Sequence, residues 1–302
     1  MHYLLYFFAV FCLSQSAHWV KWSGSVVVML GFWRLFFASL CWTPFAGLAV
    51  QKQPLRRIPT KVWVWTTGAG LLLFLHLWSF QFAAQNTRIA NQMILFASNP
   101  LWTAGITILF FREKLTARLV VAYVLSISGI IVLVSHQVQF ESETLWGDSM
   151  ALGSAVLYSA YIVCSQQARS KLPNSLFSFF LFLISSLSFG AWCLIQGVEL
   201  WPPDSKAWIA IAGLTLMSTM MGHSMFAYLL KHMNINWMSC GKLLEPVLAS
   251  LTAYFIFNES IRTSTWWAFF LTASGVLVLF LWPHSKTKDS VEAVEEIAGE
   301  MQ

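Results

Sequence analysis

The chain has 302 residues, of which 57% are hydrophobic and only 10% are charged, and its mean hydropathy is +0.64. An ordinary soluble domain has about a quarter charged residues, so this composition excludes a soluble globular protein and predicts a chain that lies mostly in lipid. The net charge of +5 is not accompanied by a basic patch with interleaved aromatics, so no nucleic-acid partner is predicted.

Ten apolar runs follow one another along the chain. Each is close to the about 20 residues that cross a hydrocarbon layer about 30 Å thick, and without water to satisfy the backbone each run is predicted to be a helix. The linkers are short and leave no room for a separate soluble domain. The predicted spans cover residues 3–20, 26–50, 61–83, 90–111, 117–135, 145–165, 175–196, 206–230, 236–257 and 264–282.

Basic residues are unevenly divided between the two sets of loops. With a cytoplasmic N-terminus, the inner loops and tail hold twelve Lys and Arg residues and the outer loops hold four. This is the bias of the positive-inside rule, so we expect both termini to be cytoplasmic and the protein to be multi-pass in the plasma (inner) membrane. Residues 284–302 are acidic and are predicted to be a disordered cytoplasmic tail.

Polar and aromatic side chains are concentrated in six of the ten spans. Taken singly, each is more typical of an interhelical hydrogen bond or of packing. Their concentration in the first, third, fourth, sixth, eighth and ninth spans predicts a central cavity in which they bind a small-molecule substrate. The candidates are Gln15, His18, His76, Gln92, Asn99, Trp102, Tyr158, Tyr161 and His223.

Enzymatic chemistry is not indicated. The five cysteines all fall in apolar runs without a CxxC pair, and the histidines of the spans lack metal-like spacing, so no metal and no cofactor is predicted. A membrane-embedded enzyme would also need a convergent catalytic set, which the sequence does not provide.

An internal repeat relates the two halves of the chain. When residues 99–136 are written over residues 245–282 without a gap, Pro100 falls on Pro246, Glu113 on Glu259, and Ser128-Gly129 on Ser274-Gly275. This offset places the fourth span on the ninth and the fifth on the tenth, so the repeat unit has five spans. Because five is odd, successive units cross the bilayer in opposite directions, as in the inverted repeats of many secondary transporters.

Four segments together carry a resemblance to a known family. They are "WRLFFA" in the second span, "NPLWTAGITILFFREKLT" in the fourth, "AYLLKHMNINWMSCGKLLEPVLASLTAYFIFNES" across the eighth and ninth, and "GVLVL" in the tenth. With the ten-span layout, the chain resembles the drug/metabolite transporter superfamily, in particular its ten-helix EamA type.

The resemblance implies an all-α membrane protein built as a 5+5 inverted repeat, with halves at residues 1–136 and 145–283. It also implies that spans one to four and six to nine surround a cavity, while the fifth and tenth are peripheral. Members of the family carry amino acids, other metabolites, quaternary amines, nucleotide sugars or drugs, often outward.

The ninth span contains a cation and an anion, in "GKLLEPVLAS". Lys242 and Glu245 are three residues apart and share one helix face, and either one alone in lipid would cost several kcal/mol. Glu245 lies roughly 14 Å into the span at 1.5 Å per residue, near the bilayer midplane. Pro246 removes a helical hydrogen bond beside it. We interpret Lys242 and Glu245 as substrate-binding, with Glu245 the candidate proton carrier; a neutral pair that only fixes packing is the alternative.

Arg34 is a second cation within a span. It either snorkels to the interface or faces inward. If it faces inward, the spans hold two cations and one anion, and the cavity favours a substrate with a carboxylate or a phosphate.

These features predict a secondary transporter of a small polar or amphipathic metabolite, working by alternating access and exporting its substrate. An amino acid or a related carboxylate is the leading substrate. A choline-like quaternary amine or a drug, held in an aromatic cage of Trp102, Tyr158 and Tyr161, is the alternative, and the oligomeric state is left open.

Overall fold

A computed structural model describes residues 2–87, 92, 95–112, 114–134, 144–257 and 263–281. Within these ranges the chain folds as successive helices that match the predicted spans. The predicted tail at 284–302, Glu113 and Glu259 lie outside the described residues.

The described parts of the first five spans are helical except at Gln15 in the first span and at a turn at 97–98 in the fourth. The first span has a break at Gln15, and the second and third are continuous. The helices are His2–Ser14 and Ser16–Ser23 in the first span, Val27–Lys52 in the second, Thr60–Asn86 in the third, Asn99–Phe111 in the fourth and Ala117–Val134 in the fifth, with a short 3₁₀ turn at Leu55–Arg57.

The second five spans include two irregular ones. The eighth span passes through a π-helix, and the ninth through a 3₁₀ turn. The sixth and seventh spans are Leu145–Arg169 and Asn174–Gln196; the eighth is Ser205–Gly213, the π-helix Leu214–Ser224 and Met225–Leu229; the ninth is Ile235–Gly241, the 3₁₀ turn Lys242–Leu244 and Glu245–Phe257; the tenth is Thr263–Leu281.

Five helical stretches of the described chain are long and apolar enough to cross a membrane by themselves: His2–Ser23, Val27–Lys52, Thr60–Asn86, Asn174–Gln196 and Ser205–Leu229. Shorter apolar helices belong to the fourth and fifth spans. The sixth span is more polar, and Ser154, Ser159 and Ser165 along it are fully buried against neighbouring helices.

The packing of the spans follows the inverted repeat. The third span packs on the sixth, and its counterpart, the eighth, packs on the first. The fourth packs on the sixth as the ninth packs on the first, while the second packs on the seventh and the fifth on the tenth. Exchange of the two halves thus turns each of these contacts into another one of the set or into itself. The prediction of an all-α, ten-span 5+5 inverted repeat is confirmed.

The fifth and tenth spans pair closely with each other at small residues. A Cβ added to Gly275 would lie 2.3 Å from Ser126 Oγ and 2.7 Å from the carbonyl oxygen of Ala122. Ser126 is fully buried and donates to the carbonyl of Thr272 at 3.4 Å. Glycine is therefore required here by the close approach of two backbones, which is how small residues join helices in membranes.

Gly275→Val is expected to destabilise the protein by about 1–3 kcal/mol, because the new side chain overpacks this interface. Apparent melting of the detergent-purified protein measures the change. The matched control is Gly47→Val, since a Cβ at Gly47 meets nothing within 4 Å. Equal melting temperatures for the two variants would contradict the close packing of the fifth and tenth spans.

Candidate substrate site

The ninth span is interrupted by the 3₁₀ turn Lys242–Leu244. The helix restarts at Glu245, with Pro246 in its first turn, where the missing N–H of proline costs no hydrogen bond. The interruption lies about 10 Å along the span, at 1.5 Å per residue. Local chain chemistry thus places a cation and an anion at a helix break deep in the membrane.

Lys242 and Glu245 form an ion pair across this break. Lys242 Nζ lies 2.8 Å from Glu245 Oε2, and the two side chains are 4% and 14% exposed. The second carboxylate oxygen, Glu245 Oε1, is buried and accepts no hydrogen bond. The anion is therefore only half satisfied, which is costly at a buried position.

The ammonium of Lys242 also lies over two aromatic rings. Its Nζ is 4.1 Å from the ring centroid of Tyr158 and 4.6 Å from that of Phe96. Both distances are well within the about 6 Å at which a ring face attracts a cation. Two ring faces and one carboxylate together surround the buried cation.

Phe96 occupies the position of the first repeat that corresponds to Lys242. The offset that places Pro100 on Pro246 also places Phe96 on Lys242. Two equivalent positions of an inverted repeat meet at the axis that relates the halves. The contact between Lys242 and Phe96 therefore marks the centre of the bundle.

A row of rings extends from Lys242 through the sixth span to the eighth. Tyr158 lies 5.8 Å from Tyr161, and Tyr161 lies 6.2 Å from His223, between ring centroids. His76 flanks the start of the row, 5.0 Å from Tyr158 and stacked on Phe96 at 5.6 Å. The row gives the centre a continuous wall of flat side chains.

His76 is held in place from the sixth span. Its Nδ1 lies 2.9 Å from Ser154 Oγ and 3.2 Å from the carbonyl oxygen of Ser154. Ser154 Oγ in turn donates to the backbone carbonyl of His76 at 3.2 Å. This reciprocal contact fixes the orientation of the imidazole and joins the third and sixth spans.

Arg34 faces inward and is fully buried. Its Nε donates to Thr219 Oγ1 at 3.1 Å and its Nη1 to Ser16 Oγ at 3.4 Å. Its Nη2 is buried without a hydrogen-bond partner, and within the described chain Arg34 forms no ion pair with a carboxylate. The inward alternative for Arg34 is thus the one that the structure shows.

The second span holds the π-helix of the eighth at three points. Arg34 contacts Thr219, Thr215 Oγ1 donates to the carbonyl of Arg34 at 3.3 Å, and Trp42 Nε1 donates to Ser224 Oγ at 3.0 Å. Within the π-helix, the hydroxyls of Thr219 and Ser224 each donate to the carbonyl five residues earlier. A π-helix of this kind is frequent at functional sites.

Two cations, Lys242 and Arg34, are buried inside the bundle, where they are 5% and 0% exposed. Glu245 is paired with Lys242, so no carboxylate of the described chain balances the charge of Arg34. Lys242, Glu245 and Arg34 together carry one net positive charge, and its burial without a counter-ion makes Arg34 a candidate functional residue.

The other predicted site residues are placed as follows. Gln15 is buried at the break of the first span and donates to Thr252 Oγ1 at 3.1 Å, whereas His18 is half-buried. Gln92 donates to the carbonyl of Phe80 at 2.8 Å, and Asn99 to that of Phe96 at 2.9 Å, with Asn99 Oδ1 buried and without a partner.

Trp102 stands apart from the aromatic row. It is 41% exposed, and its indole N–H donates at 3.0 Å to the Oγ of Ser98, the N-cap residue of its own helix. Tyr158 and Tyr161, the other members of the predicted aromatic cage, are each only 1% exposed. The structure therefore brings together His76, Tyr158, Tyr161, His223, Lys242 and Glu245, and leaves Trp102 outside this group.

Comparison with known proteins accounts for this architecture. The model of the EamA-like transporter family matches residues 2–135 and again residues 145–281. The chain belongs to the EamA-like transporter family. It is therefore a membrane transporter and not an enzyme, and the two matches correspond to the two halves of its repeat.

Individual relatives of this EamA-family chain are distant. An uncharacterized transporter of Archaeoglobus fulgidus is 23% identical over 255 residues, covering 84% of this chain and 87% of that protein. A protein of Rickettsia felis named S-adenosylmethionine uptake transporter is 25% identical over 244 residues, covering 78% of this chain and 76% of that protein. A solved crystal structure has the same fold, with a TM-score of 0.75 at 21% identity over 92% of this chain and 96% of that one.

Sequence reasoning did not select Phe96, Thr219 or Ser16 as parts of this EamA-family site. The repeat offset carried a signal for Phe96, because it places this residue on Lys242. Ser16 and Thr219 are short hydroxyl side chains with no distinguishing pattern, and only the packing of the first, second and eighth spans brings them to Arg34.

Arg34→Met is expected to leave the melting temperature unchanged or raised, because it removes a desolvated charge that has no ionic partner. Arg169→Met is the matched comparison. Arg169 is 3% exposed and donates to the carbonyls of Ala227 and Leu172, so its loss leaves acceptors unsatisfied and should cost about 1–3 kcal/mol. A larger loss of stability in Arg34→Met than in Arg169→Met would show that Arg34 is structural.

Proposed function

We propose that this EamA-family transporter carries a small metabolite with a carboxylate group, and that an amino acid is its first candidate substrate. The observation that carries the proposal is the buried guanidinium of Arg34, whose Nη2 has no hydrogen-bond partner. A guanidinium matches the geometry of a carboxylate and binds it bidentately. A bound carboxylate would supply the acceptor and the negative charge that Arg34 lacks.

The substrate site that we propose extends from Arg34 along the aromatic row to Lys242. Arg34 lies about 10 Å from the start of the second span, and Lys242 about 10 Å from the start of the ninth. If successive spans alternate in direction, these spans start on opposite sides of the membrane. An elongated substrate would then meet Arg34 with its acid group and the rings of Tyr161 and Tyr158 with its body.

The Rickettsia relatives support a substrate with an amino-acid group. S-adenosylmethionine, in their name, ends in the carboxylate and amine of an amino acid, so it presents the acid group that fits Arg34. It also carries a sulfonium, which the positive centre repels. A simple amino acid therefore ranks before it.

A quaternary amine is the second candidate, favoured by the ring faces of Tyr158 and Phe96. These faces attract cations, but the ammonium of Lys242 lies over both. Trp102, the third ring of the predicted cage, is 41% exposed. Both observations rank the amine below the carboxylate.

We further propose transport by alternating access, in which the two repeats exchange conformations around the centre. The charge asymmetry of the loops supports cytoplasmic termini in the plasma (inner) membrane. Export is our prediction for the direction, although the Rickettsia relatives are named for uptake. Glu245 is the proposed proton carrier, since Oε1 is buried without a partner and a proton there would release Lys242.

Amino acids and other small carboxylates are expected to raise the melting temperature of the purified protein saturably, by binding only to the folded state. Arg34→Met should weaken this response at least about tenfold, equivalent to about 1.4 kcal/mol, whereas Arg34→Lys should keep part of it. The panel also contains S-adenosylmethionine and quaternary amines. Stabilisation by amines alone, or equal responses of wild type and Arg34→Met to carboxylates, would refute the assignment.

Glu245→Gln is expected to abolish transport driven by a pH gradient in proteoliposomes, because the amide cannot take up a proton. Exchange of labelled for unlabelled substrate should persist, since it needs no net proton movement. Glu199→Gln, at a loop glutamate outside the spans, is the control. Full pH-driven transport in Glu245→Gln would mean that Glu245 is not the coupling residue.

A further inference from the structure

The surroundings of the Lys242 ammonium are those of a binding site for an organic cation. A carboxylate oxygen lies 2.8 Å from Nζ, and the ring centroids of Tyr158 and Phe96 lie 4.1 and 4.6 Å from it. A carboxylate together with aromatic faces is the arrangement by which proteins recognise free amines and quaternary ammonium groups. Here the ligand position is filled by a side chain of the protein itself.

We propose that Lys242 is the built-in occupant of an alkylammonium site formed by Phe96, Tyr158 and Glu245, and that it excludes external organic cations from the centre of the transporter. Lys242 is thus a specificity-determining residue. Its ammonium pairs with Glu245 and also repels an incoming organic cation. Selectivity against one class of ligand commonly depends on a like charge placed in the site.

The walls of this alkylammonium site are held in place independently of Lys242. Phe96 stacks on His76 at 5.6 Å and meets Phe80 edge-on at 5.0 Å. Tyr158 meets His76 at 5.0 Å and Tyr161 at 5.8 Å. Because these contacts do not include the lysine, both rings are expected to keep their positions when its side chain is shortened.

The carboxylate of Glu245 can accept hydrogen bonds from an external ligand. Glu245 Oε1 is buried and accepts no hydrogen bond, while Oε2 is engaged by Lys242 alone among the described contacts of Glu245. Without Lys242, both oxygens would lack a donor in a position that is 14% exposed. A buried carboxylate without its counter-ion is strongly unfavourable, and an alkylammonium that enters the site would restore the ion pair that Lys242 made.

Lys242→Ala removes the propylamine part of the side chain and leaves a space of that shape between the two rings and Glu245. The protonated amine n-propylammonium reproduces the missing atoms and their charge. n-Propanol has nearly the same size without the charge. The pair of compounds therefore separates recognition of a cation from simple filling of a cavity.

The test is thermal-shift and calorimetric titration of the detergent-purified full chain with n-propylammonium, with n-propanol as the neutral control. Lys242→Ala is expected to bind n-propylammonium at least about tenfold more tightly than wild type does, and not to respond to n-propanol. Lys242→Met fills the same space with an uncharged chain and should bind neither. In the Lys242→Ala background, Tyr158→Leu should weaken binding and Tyr158→Phe should preserve it.

Two results would overturn the proposal: a folded, monodisperse Lys242→Ala that shows no saturable response to n-propylammonium, or equal stabilisation by n-propanol. If Lys242→Ala is recovered only as aggregate, the readout becomes the yield of monodisperse protein after solubilisation with each compound. A higher yield with n-propylammonium supports the site, and equal yields contradict it. The outcome does not depend on the proposed carboxylate substrate, because binding is compared between variants with a probe that carries no acid group.

Discussion

The burial of Lys242 and Glu245 in a membrane span is the constraint on which the centre of this transporter depends. Either charge alone at this depth would cost several kcal/mol. Pairing offsets this cost, and the side chains of Lys242 and Glu245 meet at 2.8 Å at the 3₁₀ turn. The pair still leaves one carboxylate oxygen unsatisfied. The rings of Phe96 and Tyr158 complete the surroundings of the cation, and through them the fourth, sixth and ninth spans converge on one point.

The inverted repeat explains why the spans converge there. Equivalent positions of the two halves approach each other at the axis that relates them, and Phe96 and Lys242 are such a pair. One half supplies a ring and the other a charge, so the symmetry of the backbone is kept while the chemistry differs. Asn99 and Glu245 are also equivalent positions, beside Pro100 and Pro246, and here one half supplies an amide and the other a carboxylate.

The two halves differ in the third and eighth spans. The third is a continuous helix from Thr60 to Asn86, whereas the eighth contains the π-helix Leu214–Ser224. Hydroxyl groups within this π-helix and three contacts from the second span stabilise it. Arg34 is one of those contacts and is also a buried charge without an ionic partner in the described chain, so the π-helix and this cation lie together.

The sequence by itself determined the ten spans, the 5+5 inverted repeat and the positions of the charged residues, because apolar run length and repeated Pro and Ser-Gly positions depend on local chain properties. It also placed Lys242 and Glu245 on one helix face. Only the tertiary structure decided that Arg34 faces inward, that Trp102 lies apart from Tyr158 and Tyr161, and that Phe96 covers Lys242. These outcomes depend on which face of each helix packs against its neighbours, and a helix that is apolar all round gives no such direction in its sequence.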